Sequence, residues 1–350
     1  MSFSTKIQRY FTTLFITIIQ ENNSYKLYSR VLKNGKVKKR FDKTFDIKSN
    51  DEKLSQDTED YILSLQEKYN YVYTALLLNS MGQGAIKGTS EEEFEKSSVD
   101  PKNVKSIKFK TWSAFVSYID LNWIKKIYDN VGLDLVYSPF VVLYELLSNY
   151  KLKNRPTLYI LNLESSVTVA IFKADTLYFG AFYNIRKDDI LSDSIGVDDW
   201  ENEEEESAVE NLAALDESEE QEEEFSNLDD LSELDVLDNE LDDEEFSDIK
   251  DETSEDFSSD SSMDDVDIDD IELYGRDLEI YKFLNKALKE YYKNDIFQSD
   301  FVEEAIIFDG YGMTQEMMDS IENDLLLDLG MHKIDVAEVV CDLSVRDIYG

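Results

Sequence analysis

Cysteine and histidine are almost absent: the 350 residues contain one of each, Cys341 and His332. One cysteine cannot close an internal disulfide, and with a single histidine it cannot build a Cys/His zinc site. A metal-independent protein of a reducing compartment is the simplest expectation. Long apolar runs are lacking too, and no stretch reaches the roughly 17–25 apolar residues of a membrane-spanning helix. The nearest candidate is Tyr10 to Ile19, preceded by Lys6 and Arg9, with the charge and length of a signal peptide's first two regions. Gln20-Glu21-Asn22-Asn23 follows it where a small-residue cleavage site would stand, and a buried first strand ending in an Asn-rich turn explains the same letters. A cytoplasmic location is therefore expected.

Basic residues are missing from one region only. The chain carries 35 Lys/Arg against 77 Asp/Glu, a net charge of −42, but residues 188–272 hold 40 of the acids and a single base, Lys250. The rest is nearly neutral. A near-neutral, aromatic-rich globular protein is interrupted by a polyanionic segment, and its 350 residues suffice for one large or two medium domains. Self-repulsion and scarce apolar groups predict disorder for that segment. Within it, Phe225, Leu228, Leu231, Leu234, Leu237 and Leu241 recur every three or four residues. Such a stripe fits either a helix that forms on a partner's surface or an entropic spacer. The EF-hand glycine and terminal-Glu spacing of a calcium loop is missing.

Along the body, strands are predicted over Leu14 to Gln20, Tyr25 to Leu32 and, after Asn34-Gly35, up to Ile47; Asn-Gly between extended runs is a strong hairpin signal. Leu54, Tyr61, Leu65 and Tyr69 mark a helix, and Tyr71 to Leu78 a strand buried on both faces. Trp112, Phe115, Ile119, Trp123 and Ile127 have the spacing of one apolar helical face that Gly132 closes. Ser138-Pro139 opens a helix through Leu147, and Leu158 to Leu163, Val167 to Phe172 and Thr176 to Phe182 form a second set of three strands. Leu278, Tyr281, Leu284, Leu288 and Tyr291 give a long helix, followed by the strand Ala305 to Phe308. Thr314 then caps a helix bearing Met318, Ile321, Leu325 and Leu329 and ending at Gly330. Two meander-helix-strand units predict an α/β protein with two related halves.

This duplicated order carries Val131-Gly132-Leu133-Asp134 before Tyr137-Ser138-Pro139, and a strand-loop-strand from Ile160 to Phe172. It resembles the actin-like (ribonuclease H-like) ATPase fold, and within it PilM-type pilus-assembly proteins and the cytoplasmic part of GspL-type secretion proteins. The likeness covers most of residues 10–187 and 274–340. It implies an actin-like domain in two parts, 1–187 and 273–350, around a disordered acidic insertion, 188–272. The family's second phosphate loop reads Asp-x-Gly-x-x-x-Thr; the aligned residues here run from Asn162 to Thr168 and keep only Thr168. Asn162 replaces the acid, and Glu164 replaces a glycine whose missing side chain lets backbone N–H groups approach phosphate. The first phosphate loop, Gln20 to Ser24, has no glycine, and the adenosine-side glycine pair survives in part as Gly310 and Gly312. These departures imply no cofactor and no ATP hydrolysis.

Other candidate chemistry is sparse. Met81 to Gly88 is glycine-rich, but Lys87 precedes Gly88 where a Walker loop needs Lys-Ser/Thr after its last glycine, so a flexible connection is expected. His332 has no visible acid–base partner, and Cys341, in the alternating run Val339 to Leu343, reads as a small core residue. Lys26, Arg30, Lys33, Lys36, Lys38, Lys39, Arg40, Lys43 and Lys48 fall on the first hairpin. They fit either a solvated sheet edge or a site for anionic lipid or an acidic partner, including this chain's own insertion. Nucleic acid is not expected, because the polyanionic segment would compete for the same patch.

The resemblance implies a non-catalytic scaffold, cytoplasmic and peripheral on the inner membrane. Its machine would be a type IV pilus, a type II secretion system, or a flagellar motor with a pilus-type module. A groove between subdomains would take the N-terminal peptide of a bitopic, PilN-like partner, with ring-like self-association. Two other classes stay open: an active actin-like ATPase polymerising at the membrane in the manner of FtsA, and an acidic chaperone or nucleic-acid mimic acting through the insertion.

Overall fold

The first strand, β1 (Thr12–Gln20), is buried along almost its whole length, and its two faces enter different cores. Leu14, Ile16 and Ile18 point one way and Phe15 and Ile19 the other. A strand apolar on both faces needs cover on both, which places β1 inside a layered α/β structure. The computed structural model describes residues 11–47, 54–148, 150, 152–185, 268–297 and 299–350, of which 268–272 only in backbone. Residues 1–201 and 268–350 form one compact unit; a second unit, 202–267, lies outside the described residues. Phe225, Leu228, Leu231, Leu234, Leu237 and Leu241 fall there.

The elements run β1, β2 (Ser24–Lys33), β3 (Lys36–Asp46), α1 (Gln56–Lys68), β4 (Tyr71–Leu77), β5 (Gln83–Lys87), α2 (Glu91–Lys96), β6 (Val104–Lys108), β7 (Trp112–Ser117) and α3 (Tyr118–Ile127). Next come β8 (Leu135–Tyr137), α4 (Pro139–Ser148), β9 (Thr157–Asn162), β10 (Ser166–Lys173) and β11 (Thr176–Asn184). After the acidic segment follow α5 (Ile268–Lys293), β12 (Glu304–Asp309), α6 (Gln315–Asp324), β13 (Asp328–Lys333) and α7 (Val336–Tyr349). The two large sheets have the same order, β3-β2-β1-β4-β8 and β11-β10-β9-β12-β13. Their directions match as well: an antiparallel meander of three, then two strands parallel to the meander's first.

Each half therefore repeats one plan, with the acidic segment inserted between β11 and α5. Ile62 of α1, Ile124 of α3 and Tyr128 just after α3 cover the first sheet's outer face. Ile280, Leu284, Ala287 and Tyr291 of α5 and Ile321 of α6 cover the second sheet's outer face. Between the sheets lie α4 and α7, whose Phe140, Leu143, Leu147, Val340 and Leu343 share one core with strands of both halves. The last helix is also tied polarly to the first sheet. Arg30 of β2 donates to Asp342 and, at 3.1 Å, to Glu338, and the Tyr349 hydroxyl is 2.6 Å from that of Thr13.

Four expectations need correction. The apolar run from Trp112 is not one helix: Trp112–Ser117 is the centre of a small sheet, β5-β7-β6, and the helix starts at Tyr118, where the Ser117 side chain accepts from the Asp120 N–H. The glycine-rich stretch is not a loose connection, because Gln83–Lys87 pairs with β7. Leu329 and Gly330 lie in β13; the preceding helix stops at Asp324, with Leu326 at φ +56° turning the chain. Cys341 is fully buried as expected, but on α7 and not in an alternating strand.

Candidate functional site

The two halves meet where the β1–β2 turn faces the β9–β10 turn. Both turns are tight: the Glu21 N–H donates to the Ser24 carbonyl at 2.8 Å and the Leu163 N–H to the Ser166 carbonyl at 3.0 Å. Each projects a carboxylate. Glu21 is buried and accepts from the Ser165 hydroxyl at 3.2 Å, and Glu164 accepts from Lys26 Nζ at 2.8 Å. Asn79, just beyond β4, donates to both turns, to Ser165 Oγ at 2.8 Å and to the Gln20 carbonyl at 3.4 Å. Burial, then the nearby Glu164 charge, pushes the Glu21 carboxyl up to about 7, against the opposing pull of Lys26, Ser165 and Arg276.

Behind these turns sits Arg276, an arginine that is 3% exposed. It lies one helical turn before Ile280 and two before Leu284, on the stripe of α5 that packs on the second sheet. All three of its nitrogens donate. Nε reaches the Glu164 carbonyl at 3.1 Å, Nη1 the Gly312 carbonyl at 3.4 Å, and Nη2 both Asn162 Oδ1 at 2.5 Å and the Leu163 carbonyl. The guanidinium also lies 4.5 Å from the Tyr311 ring centroid. Burial lowers its pKa, and the charges of Asp277, Asp309 and Glu164 oppose that.

The remaining polar groups complete one knot. Asn162 Nδ2 donates to Asp309 Oδ1 at 2.8 Å, and the same oxygen accepts from the Gly312 N–H at 2.9 Å. The fully buried Asp277 accepts the Thr314 N–H at 2.8 Å and hydroxyl at 2.7 Å, so α5 holds the start of α6. Gly310 donates to the Asn162 carbonyl at 2.8 Å, and a Cβ there would come within 3.0 Å of Leu163. Gly312 has φ +139°, a conformation that side chains rarely adopt.

Asn162, Glu164, Gly310 and Gly312 thus converge on Arg276. Thr168 does not join them: it is buried in β10 opposite Leu161 and Phe182, with a hydroxyl that meets no partner. On β3, the Lys39 ammonium sits 5.0 Å from the Phe41 ring centroid, and Arg40 pairs with Glu338 at 3.1 Å; Lys38 is exposed. No group of three or more His, Cys, Asp or Glu among the described residues could hold a metal ion.

Residues 158–349 match the family model described as a domain of unknown function, DUF8341, which is more than half of the chain. The chain belongs to that family. In this DUF8341 member, residues 11–144 match a second domain of unknown function, DUF8569, so the boundary between the two models falls between the structural halves. No curated protein matches the sequence. Among solved structures, a chain of the PilM–PilN type IV pilus biogenesis complex is similar at TM-score 0.50 and 9% identity, over 96% of this chain and 98% of that one. A Bacteroides thetaiotaomicron protein of actin-like ATPase fold and unknown function gives TM-score 0.44 and 10% identity, over 98% and 99%. The ethanolamine utilization protein EutJ of Carboxydothermus hydrogenoformans gives 0.41 and 8%, over 96% and 90%. The fold is the actin-like one.

That fold implies a nucleotide between the halves, and the residues present do not fit one. Glu164 places a carboxylate where a triphosphate needs donors, the buried Glu21 is held against Ser165, and the nearby guanidinium is spent on the chain's own carbonyls and amide. What the knot does chemically is hold the β9–β10 turn, the β12–α6 turn and α5 in one arrangement.

Proposed function

We propose that this chain is a non-catalytic scaffold of the pilus-assembly kind. It is peripheral on the cytoplasmic face of an inner membrane and takes the short N-terminal peptide of a bitopic, PilN-like membrane protein. One observation carries this reading: at the β9–β10 turn, where the fold would otherwise hold phosphates, Glu164 presents a carboxylate and Arg276 is spent on the chain's own carbonyls. A chain whose phosphate-facing turns are occupied in this way would work through its surfaces. Support comes also from the setting of its structural neighbour, a complex of PilM with PilN in type IV pilus biogenesis. No helix among the described residues is long and apolar enough to cross a membrane. In this reading the bitopic partner holds the chain at the membrane. A ring with the symmetry of the machine would follow from such a role.

The test is affinity capture of the tagged full-length chain after mild membrane solubilisation, with partners read by mass spectrometry. The expected partner is a bitopic membrane protein whose N-terminal peptide alone competes for capture. ATP-dependent assembly into filaments in the absence of any partner would overturn the reading.

A further inference from the structure

At the end of the first sheet away from Glu21, the β2–β3 hairpin closes in a two-residue turn, Asn34 and Gly35, both at positive φ. This turn sets Lys33 and Lys36 directly opposite each other, a like-charge pair that costs stability unless an anion joins it. A second such pair on the same hairpin, Arg30 opposite Arg40, has its anion: Glu338 sits 3.1 Å from both. No acid among the described residues pairs with Lys33, Lys36 or Lys38, and all three are exposed. Lys38 is the additional residue where the register shifts, since Val31 faces Lys39 and Leu32 faces Val37. Apolar groups stand among these ammoniums. Val37 is 43% exposed; Phe11, next to Thr12 opposite Lys33, is 48% exposed with its ring 5.7 Å from that of Tyr71. Protection of a sheet edge accounts for lysines on β3, but not for Lys33 on the inner strand β2 or for an exposed phenylalanine beside it.

We propose that this hairpin tip rests on an anionic bilayer surface. Lys33, Lys36 and Lys38 meet the headgroup phosphates, and Phe11 and Val37 enter the interface between them. Charge alone would suit an acidic protein equally well; exposed apolar side chains set among the lysines favour lipid. Gln20, at the cleft, lies about 26 Å along β1 from Thr12, so lipid at the tip leaves the facing turns clear. The contact needs no peptide partner. Vesicles free of protein therefore test it, and their result leaves the reading of the chain as a peptide-binding scaffold untouched.

Cosedimentation of the full-length chain with vesicles is the test, phosphatidylcholine alone against phosphatidylcholine with about one-third phosphatidylglycerol. The parent should prefer the anionic vesicles and lose that preference as salt rises. Lys33→Gln with Lys36→Gln and Lys38→Gln should weaken the binding at least about tenfold, and Phe11→Ser at least about threefold. Removing as many charges from the exposed Lys102, Lys105 and Lys108 should weaken it less than about threefold. No preference for anionic vesicles overturns the proposal, as do equal losses from the two triple variants. Polyglutamate bound as tightly as the vesicles, with Phe11→Ser silent towards both, would assign the tip to an acidic protein and overturn the lipid assignment.

Discussion

The two sheets share one order of strands, yet their outer hairpins have opposite character. In the first half, β3 is exposed along most of its length and carries Lys36, Lys38, Lys39, Arg40 and Lys43. Its topological counterpart in the second half, β11, buries Leu177, Phe179, Phe182 and Tyr183. Cover explains the difference. Helix α5 lies over Phe179 and Tyr183, and β5 packs against the other side, where Gly180 meets Ala85 and Phe140. Tyr61 of α1 and Glu338 of α7 touch β3 but leave most of it exposed, and lysines on an uncovered edge discourage unwanted pairing. A repeated topology fixes which strands pair; the elements added around each copy decide polarity.

The same asymmetry governs the facing turns, and Arg276→Met should have the largest effect. It leaves Asp277, the Asn162 carboxamide and three carbonyls of the second half without their buried cation, at a cost of about 3–5 kcal/mol in urea unfolding. Lys26→Met, on the first half's half-exposed ion pair with Glu164, should cost less than about 1 kcal/mol. Equal losses from the two would show that burial does not set these two cations apart.

Next in size is Gly180→Val. A Cβ there stands 3.0 Å from the Ala85 side chain and 3.2 Å from its carbonyl oxygen, so β11 and β5 must part, at about 1–3 kcal/mol by denaturant midpoint. On the uncovered hairpin, Lys38→Thr should stay within about 0.5 kcal/mol of the parent.

A pH series separates the turns further. The Glu21 carboxyl moves from an ordinary value of 4.5 in the unfolded chain to about 7 when folded, so the folded state binds the proton more tightly. Stability from this group is therefore present at low pH and is lost as pH rises through that window. Between pH 5 and 8 the parent should lose on the order of 1–2 kcal/mol relative to Glu21→Gln, which keeps an acceptor for Ser165. Parallel stability curves for the two proteins would show that Glu21 is not held protonated.

Much of this fold was legible because local signals and tertiary demands agree. Ser138-Pro139 opens α4 as expected, Asn34-Gly35 turns the first hairpin with both residues at positive φ, and the β9 to β11 meander follows its apolar runs. Failures came where pairing overrode period. Trp112 and Phe115 fit a helical stripe with Ile119, but hydrogen bonds to β5 and β6 hold them in a strand. Helix α6 ends without a glycine, since Leu326 itself takes the left-handed conformation. Of the site, the loop residues Asn162, Glu164, Gly310 and Gly312 were found through motif positions. Arg276 was not, although a visible signal existed: an arginine in register with Ile280 and Leu284 on an apolar stripe must be buried and must find acceptors.

The phosphate-facing turns of this chain are occupied by its own groups, Glu164 and Arg276. Isothermal titration of the protein with ATP and Mg²⁺ should therefore give no binding heat in the micromolar to submillimolar range, and none after Thr168→Ala. Micromolar affinity that disappears in Thr168→Ala would contradict that occupancy.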